Sequence, residues 1–177
     1  MRAAAKIVIV ISVASAASIF GRGATTVTNA INQQIGPLLT EASDDIKEFP
    51  ASGQIGAFNI SQDLLSLSQA FDATTVDVQS SGSFSEKDGS TILASFQALV
   101  PTFLGALSTL TSQKKAWATT LPNGQGFIID HVVRWNDSSI AFMSSVKQAL
   151  PDTLGPSADS ATAQLSGAFT NFFAFSI

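Results

Sequence analysis

The chain has 177 residues and a formal charge of −4, with 45% hydrophobic but only 12% charged residues. That length fits one domain with a substantial core. An acidic chain whose densest basic feature is Lys114 beside Lys115 suits neither nucleic acid nor an anionic membrane surface as partner. The absence of Cys excludes a disulfide framework and thiolate metal sites, while 13 Phe and no Tyr point to large rings held in an interior or an apolar cavity.

Residues Met1 to Ala17 read as a secretory signal peptide. Arg2 and Lys6 give the positive start, Ile7 to Val13 the apolar run, and Ala14 to Ala17 the small residues, with cleavage expected between Ala17 and Ala24. Loss of those two cations would bring the charge to −4 − 2 = −6. The mature domain, residues 25–177, opens with a helical pattern through Val27, Ile31, Ile35, Leu38, Leu39, Ala42 and Ile46. Gly36-Pro37 should kink or split it. After a loop at Phe49 to Gly53, Ile55, Phe58, Leu64, Leu65, Leu67, Ala70, Phe71 and Val78 set a second helix to about Gln79.

Ser80 to Ser83 is a loop of turn formers, and the stretch on which the chain turns follows it. Ile92, Phe96, Leu99, Val100, Phe103, Leu104, Leu107 and Leu110 fall on one broad helical face. Ser85 and Asp88 stand where an N-cap and a favourable first-turn charge belong. Pro101 removes one donor inside an unbroken pattern, which predicts a bend and not an end. From Glu86 to about Ser112 the helix would run roughly 40 Å at ~1.5 Å per residue. Leu121 to Gly124 breaks the chain, and Phe127, Ile128, Val132, Trp135, Ile140, Phe142, Met143 and Val146 form the next helix. Pro151 to Pro156 breaks it again before Ala161, Leu165, Ala168, Phe169, Phe172 and Phe173 on a last helix opened by Ser157 and Ser160. No strand pattern and no solenoid period occur. The expected fold is all-α, an up-and-down bundle of about five long helices joined by short loops, and monomeric.

Chemistry-bearing residues are sparse. His131 is the one His, and its sequence neighbour Asp130 diverges from it by ~100° on a helix, which is no dyad. No G-x-S-x-G elbow, calcium loop, Gly-rich phosphate loop or paired zinc ligands occur, so no catalytic residue, metal or cofactor is expected. Two sequons, Asn59-Ile60-Ser61 and Asn136-Asp137-Ser138, are candidate glycan acceptors on predicted helices. Ala94, Ala98, Gly105 and Ala106 interleave with Phe96, Phe103 and Leu104, which suits either close packing or the wall of a cavity.

The segment Ala57 to Trp117 resembles the fungal hydrophobic surface-binding protein family, also known as the cell-wall galactomannoprotein family. The similarity lies in Thr74, Thr75, Asp77 and Val78 ending a helix, in the S-S-G loop before Ser85, Glu86 and Asp88, in the Leu/Val/Pro pattern from Ile92 to Leu107, and in Lys114-Lys115. The resemblance implies a secreted or wall-associated protein without enzymatic activity that adsorbs to hydrophobic surfaces. It also implies a fatty acid or similar apolar ligand held between helices and recruitment of secreted degradative enzymes. A Ser/Thr-rich stalk and a lipid anchor, carried by larger relatives, are not in this sequence, so the expected location is extracellular or loosely in the wall. Phe175 stands where the family often has Tyr.

With the Phe-rich composition, this places an elongated cavity along Phe96, Val100, Phe103 and Leu107 of the central helix. Phe58, Leu65 and Phe71 of the preceding helix would face them, and Phe142, Phe169 and Phe173 would close the far side. A structural cell-wall mannoprotein is the alternative, and a Ser/His131 hydrolase a third reading.

Overall fold

The computed structural model describes residues 23–174, and within them every long stretch predicted to be helical is helical. The signal peptide, its expected cleavage region up to residue 22, and Phe175 lie outside the described residues. Helix α1 covers residues 23–48. It is followed by α2 (Gly53–Ser81), α3 (Glu86–Ser112), a short α4 (Lys114–Thr120), α5 (Gly124–Ala149) and α6 (Gly155–Ala174). No strand occurs among the described residues. Five long helices were expected; α4 is additional, because Lys114 to Thr120 is too short for periodicity to separate it from the end of α3.

Both prolines inside helices act as their chemistry demands. Ahead of Pro37 the chain does not break but widens into a π-turn at Ile31–Ile35, with Gly36 N–H donating to Ile31 O. This one-residue bulge lets the helix continue past a proline that has no N–H to donate. In α3, Ala98 and Leu99 form a tight turn between the segments Glu86–Gln97 and Val100–Ser112. Leu99 N–H reaches back three residues to Phe96 O at 2.9 Å, just before Pro101. The start of α3 is fixed as the sequence indicates: Ser85 Oγ accepts from Asp88 N–H at 3.1 Å. Gly82, at φ 71° and ψ −152°, closes α2 in a conformation that side-chain-bearing residues avoid.

The helices close into a ring. α1 packs on α2, α2 on α5, α5 on α6, α6 on the second half of α3, and that half returns to α1. The first half of α3 lies over one end, against the π-turn of α1 and the turn Asp152–Leu154. The α2–α5 contact is the most extensive, and both helices bury small residues: Ala57, Ser61, Ser68 and Thr74 on α2, and Ser138, Ser139 and Ser145 on α5. The hydroxyls of Ser61, Ser68, Thr74, Ser138 and Ser139 return to their own helices, as with Ser68 to Leu64 O (2.7 Å) and Ser138 to Arg134 O (2.6 Å), while Ser145 Oγ accepts from Gln79 Nε2 of α2. At the far end, Gln113 Nε2 donates to Ile46 O (2.7 Å) and Phe49 O (2.5 Å), tying the α3–α4 junction to the end of α1. Helix α3 is also long and apolar enough to cross a bilayer, yet its Ile92, Phe96, Phe103, Leu107 and Leu110 are buried within the bundle.

One polar contact works against this packing. Asp63 of α2 lies against α1, its Oδ2 buried with no hydrogen-bond partner. Burial first, then the charges of Asp45 and Glu41, then a hydrogen bond with Asp45 that only the protonated acid can donate, push its pKa from 3.8 up to about 6. The fold thus binds this proton more tightly than the unfolded chain does. The group favours folding most below about pH 3.8, and its contribution falls as pH rises from there to about 6. Asp63→Asn should therefore raise the Tm at pH 7 by a few degrees, at about 2–4 °C per kcal/mol for a chain of this size. It should leave the Tm at pH 3.5 unchanged. Thermal melts at the two pH values check this, and equal melting of both proteins at pH 7 would contradict it.

Candidate binding site

The axis of the ring is filled by aromatic side chains from four helices. On α2 the buried positions Leu64, Leu67, Phe71, Thr74 and Val78 recur at spacings of three and four, which turns Phe71 inward. The same periodicity turns Phe96 and Phe103 of α3, Trp135 and Phe142 of α5 and Phe169 of α6 inward, all six being at most 1% exposed. Phe71 meets Phe96, Phe103 and Phe142 with centroids 6.5, 5.8 and 5.5 Å apart. Phe96 meets Phe103 at 6.1 Å and Phe142 at 5.6 Å. Phe103 stacks on Trp135 (5.0 Å, 17°), which meets Phe169 edge-on (5.3 Å, 83°). Tilted and edge-on pairs of this kind add about 0.5–1.5 kcal/mol each beyond area burial. Trp135 Nε1 has no acceptor, so a buried N–H stands among the rings.

A cleft of about 380 Å³ opens between α3 and α6 beside this cluster, lined by Leu104, Leu107, Ser108, Thr111, Ser112, Ala168 and Asn171. Its floor is apolar and its rim carries hydroxyls and an amide. Below it Lys114 Nζ donates to Phe172 O at 2.7 Å, closing the end of α6, with its cation 5.1 Å from the Phe172 ring. Burial lowers the pKa of that lysine. A second open cleft, about 550 Å³ between α2 and α5, is lined by Asp72, Asp130, Arg134 and Asp137 around Val133, a charged surface unsuited to a hydrocarbon chain.

The structure brings together Phe71, Phe96, Phe103, Phe142 and Phe169, with Val100 and Leu107 buried on the same helix α3. Leu65 and Phe173 are only partly buried; Leu64 and Leu67, and Phe172, take the inner positions beside them. Phe58 lies elsewhere than expected. It is 53% exposed near the start of α2, against Phe127 at 5.8 Å, because it stands about 140° around the helix from Phe71, while Ala57, Ile60 and Ser61 of the same turns are buried. Sequence reading missed Trp135 as a member of the cluster; its place in register with Ile128, Val132 and Phe142 was the available signal. His131 gives its Nδ1–H to Phe127 O at 2.8 Å and lies against the Phe127 ring, a contact within its own helix. Among the described residues no His, Cys, Asp and Glu cluster could hold a metal ion. Asn59 is exposed on α2, and Asn136 is half-buried on α5 with its amide on Asp137 Oδ1.

Residues 24–148 match the family described as Hydrophobic surface binding protein A. No curated protein matches the sequence. Among solved structures, ligand-binding domain 1 of the Penicillium marneffei MP1 protein, complexed with arachidonic acids, is similar at TM-score 0.77 and 15% identity, over 87% of this chain and 99% of that one. AFMP4P in complex with palmitic acid aligns at TM-score 0.72 and 16% identity, over 92% and 99%. Domain 2 of the MP1 protein, in complex with arachidonic acids, aligns at 0.73 and 16%, over 97% of each chain. At these identities the likeness establishes a shared helical fold.

The geometry separates the two kinds of phenylalanine energetically. Phe103→Ala should cost about 3–5 kcal/mol, the usual loss for a ring removed from a packed interior, whereas Phe58→Ala should cost under about 1 kcal/mol. Urea unfolding of both variants checks the contrast; similar losses at the two positions would contradict the placement.

Proposed function

The chain belongs to the hydrophobic surface binding protein A family, and from that premise we propose that it is an exported, non-enzymatic protein that adsorbs to apolar surfaces and takes up a long-chain fatty acid. The observation that carries the second part is the aromatic axis: rings from four helices meet with no ionisable group among them, beside an apolar cleft between α3 and α6. Phe rings turn about two torsions, so a hydrocarbon chain entering between α3 and α6 can part Phe103, Trp135 and Phe169 without breaking a hydrogen bond. Phe71, Phe96, Val100, Leu107 and Phe142 would then line its path, with Leu65 and Phe173 at the margins. Fatty acids held by proteins of the same fold support this ligand class.

The energetics are adequate. Burial of a dozen methylenes gains about 10 kcal/mol gross at ~0.8 kcal/mol each. Association, ordering and displacement of the rings remove much of it, leaving affinity on the order of micromolar. The carboxylate stays hydrated at the rim formed by Ser108, Thr111, Ser112 and Asn171, since ionised burial without a partner costs far more than it returns. Export rests on the charged start and short apolar run of residues 1–17. In an exported chain Asn59 is the more accessible of the two sequons, and the location is the medium or the wall. Recruitment of secreted degradative enzymes to an adsorbed surface follows from the family resemblance alone.

Ala168→Trp tests the route, because an indole there fills the cleft from its edge without entering the core. Titration with palmitate should give micromolar binding to the unaltered protein and at least tenfold weaker binding to the variant, with helix content unchanged. Equal affinities would refute entry between α3 and α6. An absence of palmitate binding by the unaltered protein, together with apolar extracts free of lipid, would refute the fatty-acid reading itself.

A further inference from the structure

We propose that adsorption occurs through one tip of the bundle, formed by the start of α2 and the start of α5, and that its partner is an extended, uncharged hydrocarbon-like surface. The inference rests on the reading of the chain as a surface-adsorbing protein and names the part of the molecule that does it. Ile55 is 76% and Phe58 53% exposed, the two large apolar residues of α2 that its N-terminal turns leave in solvent. They stand three residues apart on the face that also exposes Asn59 and Gln62, and Phe127 of α5 meets Phe58 edge-on at 5.8 Å. Gln54 Nε2 donates to Thr120 O at 3.1 Å, joining the two segments.

The charge pattern indicates the partner. Residues 49–62 and 116–129 contain no Asp, Glu, Lys, Arg or His; the 13 acidic and nine basic side chains all lie elsewhere in the sequence. Laying a protein on an uncharged apolar surface strips water from the contact, and a charge there would have to be desolvated without a counter-ion. These two segments have none to desolvate; the nearest charges in sequence, Glu48, Asp63, Lys115 and Asp130, flank them, and the amides of Gln54, Asn59 and Gln62 can stay at the wet rim. An anionic phospholipid surface would be met by a cluster of Lys or Arg, which these two segments do not contain. A second copy would need far more contact area than these few side chains offer. The other large apolar residues exposed among the described residues differ on this point. Val76 (62% exposed) is next to Asp77, and Val133 (40%) sits among Asp72, Asp130, Arg134 and Asp137.

The test uses protein made in bacteria, which carries no glycan on Asn59, and measures adsorption to octadecyl-coated silica in parallel with palmitate binding. The double variant Ile55→Ser/Phe58→Ser should adsorb at least tenfold more weakly, Val76→Ser within twofold of the unaltered protein, and palmitate affinity should be unchanged in both. Should the double variant misfold, Gln54→Lys/Gln62→Lys leaves the rings in place and adds charge to the tip; it should also adsorb at least tenfold more weakly. Undiminished adsorption by a folded tip variant, or an equal loss in Val76→Ser, overturns the assignment to the tip. So does light scattering that shows a dimer of the unaltered protein dispersed by the tip substitutions. Failure of the unaltered protein to adsorb at all refutes the surface-binding reading, irrespective of which face was assigned.

Discussion

Phe71 is the ring on which the bundle closes. It touches Phe96 and Phe103 from α3 and Phe142 from α5, so one side chain of α2 holds three walls at a common axis. Five helices arranged as a ring leave a centre that must be filled, because a void forfeits the dispersion contacts of everything lining it. Here the filling is aromatic and apolar. Its cohesion comes from burial and ring geometry, interactions of the same apolar kind that a hydrocarbon chain can make. A core of interlocked branched aliphatics or hydrogen-bonded polar groups would resist displacement by such a chain more strongly.

Much of this was legible in the sequence. Ser85 with Asp88 marked the start of α3, Pro101 its bend, and the spacing of Ile92, Phe96, Phe103, Leu107 and Leu110 its buried face. The consequence of Gly36-Pro37 was less legible. Whether a proline breaks a helix or is absorbed by a π-turn depends on tertiary contacts that hold both sides in line, and α2 and α3 supply these to α1. Adjacent apolar residues caused the remaining differences. Leu64 and Leu65, or Phe172 and Phe173, differ by ~100° around a helix, and with a broad apolar stripe only the neighbours decide which one turns inward. For Phe58 the apolar residue type misled: it stands about 140° around α2 from Phe71, so its ring emerges at the tip while Ala57 and Ile60 beside it turn inward.

One apolar inventory thus serves two places. Inside, rings with no charge among them fill the axis beside a cleft whose floor is Leu104, Leu107 and Ala168. Outside, Ile55 and Phe58 emerge where both local segments lack charge, while the acidic residues of α1, α2 and α5 keep the rest of the surface hydrated. Family membership and charge pattern support the same reading, a protein that associates with apolar matter, with the hydrocarbon chain and the extended surface proposed to engage different parts of the molecule.

The central claim is that a fatty acid enters by displacing the aromatic axis, and Trp135 is positioned to report it. It is fully buried, stacked on Phe103 and edge-on to Phe169. With Trp117→Phe leaving Trp135 as the sole emitter, palmitate titration should give a saturable change in tryptophan emission. Its midpoint should equal the one obtained for bound palmitate by native mass spectrometry. Stoichiometric palmitate binding with the Trp135 emission unaltered would contradict the account, because the chain would then lie outside the rings.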